Sequence, residues 1–364
     1  MNTQRVLGFD FLRGLSAIGV AYYHILYWLS GKPVGPYSVG LYGVYIFFVL
    51  SGASIYIAYA DKIRAGYDLR KFLGLRMLRL LPLFALVLFL APLVDFGDFG
   101  HYDGAYMSKT LLNITFAFGV GNPGQISLAT GGWSLGIEFV FYLLFPVILA
   151  FVSGGWRSSL LFLAAVAACQ ITYVGLQITG PGDLSKWVSY TQFLSFAGYF
   201  VAGCLIGRVL QTGTLSSDGA IWQSALWIIF VTLAVVLVYL GGTFPEAPLL
   251  GKRGLVLPIV SAGLVLVSVY LRFPKRTAFI AVAFGNMSYG LYLLHPIVYT
   301  LVRRKLIVAP PEHTLFFAVC LIAVAALLAL IIERCFERPV INLGKGVIAR
   351  WRITPNKTLQ TALA

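Results

Sequence analysis

Asp10, Arg13 and His24 stand within one apolar segment, and their spacing sets all three on a single stripe if that segment is helical. At about 100° per residue, the eleven steps from Arg13 to His24 return to within about 20° of the same face, and Asp10 lies within about 60° of both. At about 1.5 Å of rise per residue, the two cationic groups stand roughly 16 Å apart along the axis. A histidine with an ordinary pKa of about 6.5 suits general-base catalysis at neutral pH, and an arginine stabilises a donor or a developing negative charge. In lipid such groups face a bundle interior or a wet cavity and mark a site. The plainer alternative has Arg13 snorkelling to the headgroups while His24 bonds a neighbouring helix.

Further polar groups recur in apolar surroundings. Ser51 lacks the Gly-x-Ser-x-Gly elbow of a serine nucleophile, and small residues such as Ser51 and Gly52 serve close helix approach. Arg76 and Arg79, three apart, lie on adjacent turns at a helix entrance. They either hold the positive side inside or grip a phosphate-bearing ligand through forked hydrogen bonds. Glu138 sits near the start of an apolar helix, where the dipole favours it. His295 closes a Tyr-rich segment beginning at Ser288, and the charged run from Glu333 to Arg338 reads as an ion-paired helix end. Gly203 and Gly207, four apart, permit close packing within one chain or between two.

The elements that must carry these residues are membrane helices. Of 364 residues, 59% are hydrophobic and 11% charged, against about 45–50% and about 25% in soluble domains. The net charge of +14 does not point to nucleic acid, because the basic residues form short clusters between apolar runs; anionic lipid heads or an anionic cofactor fit better. Arg13 inside the first apolar run, with no cleavage pattern after it, makes that run a retained helix rather than a signal peptide. Cys169, Cys204, Cys320 and Cys335 are spaced for no metal site, and none is expected.

About ten spans are expected, near 7–29, 39–60, 73–94, 133–152, 158–178, 190–210, 221–241, 254–272, 278–302 and 314–336. The fold class is therefore all-α, a polytopic transmembrane helix bundle. Placing both termini in the cytoplasm puts Lys62, Arg64, Arg70, Lys71, Arg76 and Arg79 inside, with Arg157, Arg208, Arg272, Lys275 and Arg276. Arg303, Arg304 and Lys305 break that trend. Residues 95–132, with Asp95, Asp98, Asp103, Asn113 and Asn122, form a long outer interruption whose apolar stretch 111–118 lies in the interface or re-enters. No repeat or pair of broken helices of a secondary transporter is present. The bundle is expected over 1–343 and a basic cytoplasmic tail, with Arg350, Arg352 and Lys357, over 344–364.

Five motifs in order resemble the membrane acyltransferase-3 family, over nearly the whole chain. They are Arg13-x10-His24, the Phe-Phe-x-x-Ser-Gly segment from Phe47 to Gly52, Arg76-x-x-Arg79, the Trp-Ser-Leu-x-x-Glu segment from Trp133 to Glu138, and the Ser-Tyr-x-x-Tyr-Leu-x-His-Pro-like segment ending in His295 and Pro296. Two departures concern packing: Gly136 stands where serine or alanine is usual, and Ala53 where a bulky residue is common.

The resemblance implies a cytoplasmic acyl-CoA donor, most often acetyl-CoA, and a hydroxyl acceptor that is often a sugar. It implies His24 as base or transient acyl carrier, and Arg13, oriented by Asp10, as electrostatic support. Arg76 and Arg79 would bind the CoA phosphates, and Glu138 would orient His24 or the acceptor. Ser51, Trp133, Tyr292 and His295 would line the substrate path. The expected function is O-acylation of a bacterial exopolysaccharide or surface-glycan precursor in the inner membrane, alongside polysaccharide assembly proteins. Some relatives carry an extra hydrolase-like domain; this chain, ending soon after its last span, is expected to act alone or to hand the acyl group to a partner. A macrolide-like acceptor is the alternative within the enzyme class, and a glycolipid transporter or flippase the alternative outside it.

Overall fold

The computed structural model describes residues 5–32, 35–94, 104–182, 187–212, 219–305 and 313–351. Asp95, Asp98, Asp103, Arg352 and Lys357, and the side chains of Arg304 and Lys305, lie outside that description. Among the described residues the chain is helical throughout, with no strand. In order the helices are α1 (Leu7–Ser30), α2 (Tyr37–Arg64), α3 (Leu69–Val94), α4 (Gly104–Ile114), α5 (Pro123–Ile126), α6 (Trp133–Val152) and α7 (Trp156–Gln177). There follow α8 (Trp187–Tyr190), α9 (Ala197–Gln211), α10 (Ala220–Tyr239), α11 (Gly251–Tyr270), α12 (Ala278–Lys305), α13 (Thr314–Ile332) and α14 (Arg338–Ala349).

Eight helices among the described residues are long and apolar enough to cross a membrane. The two other expected spans are also helices. α1 has 24 residues and carries Asp10 and Arg13, whereas α9 has only 15. α1 stops where Gly31 takes a left-handed conformation at φ 67° and returns its N–H to the carbonyl of Tyr27.

α1 packs along α12 and α2, α2 along α9, and α13 along α12. Bare backbone at the crossings allows this closeness. A Cβ on Gly52 would lie 2.1 Å from the carbonyl oxygen of Phe200, and one on Gly203 2.0 Å from that of Val49. The Gly203 and Gly207 pair therefore packs within the chain, against α2. Ala53 is fully buried there, with its carbonyl oxygen 2.8 Å from where a Cβ on Gly207 would lie.

Within the apolar stretch 111–118 the chain divides: Leu111, Leu112 and Ile114 stay exposed, and the two phenylalanines turn into the bundle. Phe116 and Phe118 are fully buried, and Phe116 lies 5.5 Å from Phe84 of α3 and 5.4 Å from Phe139 of α6, between ring centroids. Buried Asn113 ties the turn down, donating to the carbonyls of Lys109 and Ile126 and accepting from the N–H of Leu128. This explains Gly136: a Cβ there would meet the Phe118 ring at 2.5 Å.

α13 passes into α14 through a π-helical turn, Glu333–Glu337. The helix runs on across position 344 to Ala349, with Ile348 buried and Trp351 against Gly74 of α3.

Candidate active site

Polar residues of α1, α2, α3, α6 and α12 gather around two adjoining cavities, with Glu138 and Arg13 lining one and His24 the other. The first, of about 330 Å³, is lined by Arg13, Ser51, Ser54, Arg76, Arg79, Glu138, Tyr142, Tyr289 and Tyr292 among others. Arg13 donates from Nη2 to Ser54 Oγ at 2.5 Å, and its Nη1 stands 3.6 Å from Asp10 Oδ1. Asp10 is shared with Arg5, whose Nη2 also reaches Asn286 of α12 at 2.8 Å. Asp10 thus stands within ion-pair distance of Arg13, one turn away on α1.

Glu138 Oε1 accepts from Ser51 Oγ at 2.6 Å and from Tyr142 Oη at 2.5 Å, a charge-assisted pair that fixes its rotamer. Ser51 and Gly52 divide the labour that small residues share on α2: Gly52 admits α9, and Ser51 faces Glu138. Arg76 Nη2 donates to Tyr59 Oη at 3.0 Å, with the guanidinium 4.7 Å from that ring's centre. Arg79 pairs with Glu337 and lies 5.3 Å over the ring of Tyr289. The charged run after α13 is ion-paired as expected, with Arg338 on Glu333, but Glu337 reaches across to the cavity wall.

The second cavity, of about 430 Å³, is lined by Tyr23, His24, Val44, Tyr45, Trp133, Tyr292 and the loop 127–131. Val44 and Tyr292 line both cavities and form the wall between them. Tyr292 Oη donates to the carbonyl of Gly131 at 2.9 Å and lies 3.0 Å from Ser134 Oγ. Gly131, at φ 79°, has no Cβ to push that hydroxyl away. Tyr292→Phe is expected to keep the fold and loosen this wall, read as faster exchange of the amides around residue 131 in hydrogen-exchange mass spectrometry.

His24 Nδ1 stands 3.0 Å from His295 Nε2, with the rings parallel at 5.3 Å. Trp28 stacks against both, 5.4 Å from His24 and 5.7 Å from His295. Two expectations change here. The group that touches His24 is His295, whereas Glu138 is committed to Ser51 and Tyr142 in the other cavity. His295, placed by the resemblance on the substrate path, is 1% exposed and lies behind His24, on neither cavity wall. Of the other residues placed there by the resemblance, Ser51 lines the first cavity, Trp133 the second and Tyr292 both. Tyr59 and Tyr142 have no counterpart among the expected site residues, because single tyrosines in apolar helices carry no local signal; Tyr289 stands in the motif that begins at Ser288 and Glu337 in the ion-paired run, without either being expected at a cavity.

A helical membrane bundle that encloses a histidine and a cluster of arginines and carboxylates in adjoining interior cavities has the architecture of an intramembrane enzyme. The family model described as "Acyltransferase domain" matches residues 6–334, and the chain belongs to this membrane acyltransferase-3 family. A putative acetyltransferase of Acidianus two-tailed virus is 26% identical, over 78% of this chain and 80% of its own length. A peptidoglycan O-acetyltransferase of Listeria monocytogenes and a putative one of Bacillus subtilis are each 26% identical over 93% of this chain. The chain spans only about half the length of these two, 57% and 55%. No solved structure matches it.

Proposed function

We propose that this protein moves an acetyl group from acetyl-CoA to a hydroxyl of a bacterial exopolysaccharide or surface-glycan precursor, in the inner membrane with the Arg76 and Arg79 end in the cytoplasm. The observation that carries this reading is the pair of cavities, one bearing the cations and the other the histidine, in contact at Val44 and Tyr292. The names of the bacterial relatives support glycan O-acetylation, and the clustering of basic residues on one side of the expected topology supports the orientation.

In this reading the donor's phosphates meet Arg76 and Arg79, and its arm runs along the first cavity so that the thioester reaches the Val44 and Tyr292 wall. The acceptor occupies the second cavity with its hydroxyl at His24. The hydroxyl oxygen bonds to the thioester carbonyl carbon as His24 takes the hydroxyl proton; the carbon–sulfur bond then breaks, and the sulfur receives that proton from His24. The products are the ester and free CoA thiol. Arg13 stands roughly 16 Å along α1 from His24, too far for both to touch one carbonyl group. Of the two roles open to Arg13, holding the donor is therefore the consistent one. The wall also favours passage of an acyl group over passage of a whole glycolipid.

Purified protein given radiolabelled acetyl-CoA and candidate glycans is expected to release thiol and yield acylated glycan in equal amounts. Movement of acceptor across proteoliposomes without acylation would instead establish a transporter. Comparing surface glycans by mass, with and without the protein in cells, names the acceptor. Arg76→Ala is expected to raise the KM for acetyl-CoA about tenfold with kcat nearly unchanged, since a charge-assisted hydrogen bond is worth about 1.5–3 kcal/mol. An unaltered donor dependence removes Arg76 from the donor site.

A further inference from the structure

The contact between the two histidines can be assigned a direction. His295 uses its other nitrogen, Nδ1, toward the carbonyl oxygen of Leu291 at 3.1 Å, one turn back on α12. A carbonyl oxygen only accepts, so the hydrogen of that bond is on His295 Nδ1; the reverse tautomer would aim a lone pair at another lone pair. A neutral imidazole protonated at Nδ1 offers a lone pair at Nε2. The 3.0 Å approach of His24 Nδ1 to His295 Nε2 is then a hydrogen bond only if His24 Nδ1 carries a hydrogen and donates it. This leaves His24 Nε2 without a proton, and among the described residues no group is bonded to it.

We propose that His295 is a positioning residue that fixes His24 in the Nδ1–H tautomer and so makes His24 Nε2 the proton-accepting atom at the second cavity. The inference rests on the reading of His24 as the base of acyl transfer. The part that aspartate plays behind many catalytic histidines is taken here by a neutral ring. Such a partner adds no second charge to a buried site, yet it still accepts the Nδ1–H bond, which becomes charge-assisted when Nε2 takes the acceptor's proton. The surroundings hold the arrangement rigidly. His295 is 1% exposed, Trp28 lies nearly parallel to both rings, at 21° and 19°, and the carbonyl of Trp28 accepts from Tyr299 Oη at 2.8 Å, tying α1 to α12 at this level. With His295 on α12 and His24 on α1, the helix pair with the most extensive packing sets the tautomer.

The chain has four histidines, few enough to resolve in the full-length protein. Nitrogen-15 labelling of histidine and two-bond proton–nitrogen correlation spectra, with His24→Gln to assign the signals, is expected to show His24 protonated at Nδ1 and bare at Nε2. Wild-type His24 carrying its proton on Nε2 overturns the proposal. In His295→Leu, His24 loses the acceptor that sets its tautomer and holds its ring, so its proton is expected mainly on Nε2, and kcat to fall on the order of 100-fold with the KM for acetyl-CoA within about twofold, because the general-base contribution is lost in the wrong tautomer and orientation. His295→Gln, whose side-chain carbonyl can accept from His24 Nδ1, is expected to recover much of that loss. Full kcat in His295→Leu overturns the positioning role. Failure of the wild-type protein to transfer acetyl would remove the proposed reaction while the spectra still report the tautomer, so the two readings fail separately.

Discussion

His24→Ala is expected to lower acyl transfer by roughly 100- to 10,000-fold, the range that a positioned general base contributes, while the protein still inserts and folds. The ring lines the second cavity and is not part of the tightly packed core, so truncation widens a space that already exists. The cost to folding comes mainly from His295 Nε2, which loses its donor; a buried acceptor left unsatisfied costs about 1–3 kcal/mol. Thermal unfolding followed by tryptophan fluorescence in detergent separates the two effects, because Trp28 stacks on His24 and reports the site directly. A variant that melts near the wild-type temperature and releases no thiol from acetyl-CoA supports the assignment. Substantial turnover in a folded variant excludes His24 as the essential base.

The largest structural effect is expected at Gly203. A Cβ there lies 2.0 Å from the carbonyl oxygen of Val49 and 3.0 Å from the N atom of Ala53, both of them backbone atoms of α2. Overpacking against a side chain costs about 1–3 kcal/mol, because rotamers and neighbours shift. Here no rotamer can yield, so Gly203→Leu must drive α9 from α2, which carries Val44, Phe47, Ser51 and Ser54 of the site. Loss of the monodisperse peak in size-exclusion chromatography, or a much lower melting temperature, is expected. Gly175→Leu is the control, since a Cβ at that position in α7 meets nothing within 4 Å. Equal stability of the two variants would show that the close α2–α9 approach does not hold the bundle together.

The sequence announces the parts of the site that lie along one helix. Arg13 and His24 are placed by 3.6-residue periodicity alone, and the structure sets each on the wall of a different cavity, in keeping with the roughly 16 Å between them. The helices, too, follow from apolar run length, with α9 the shortest of the expected spans because polar and loop residues precede it. What periodicity cannot supply is contact between distant helices. His24 meets His295 across 271 positions, Ser51 meets Glu138 across 87, and Arg79 meets Glu337 across 258. The single residues are conspicuous in their segments, but nothing along the chain says which distant residue each one meets. The return of Phe116 and Phe118 into the bundle was open in the sequence for a related reason: an aromatic pair between polar turns is equally at home in the lipid interface, and only Gly119 and Gly136, which let the two backbones touch, decide it.

The π turn between α13 and α14 makes chain length there an angular setting. Its extra residue turns everything that follows by about 100° relative to an unbroken α-helix. Glu337 comes to face Arg79, and further along Ile348 is buried while Lys71 Nζ reaches the carbonyl of Ala349 at 3.5 Å. Deleting one residue from Glu333–Glu337 would leave the helix continuous and its composition nearly unchanged, yet would dial the whole terminal segment out of phase with α3. One rotation would unpair Arg79 and unseat the far end of the helix together, so this cavity-lining arginine and the terminal helix are geared to a single register.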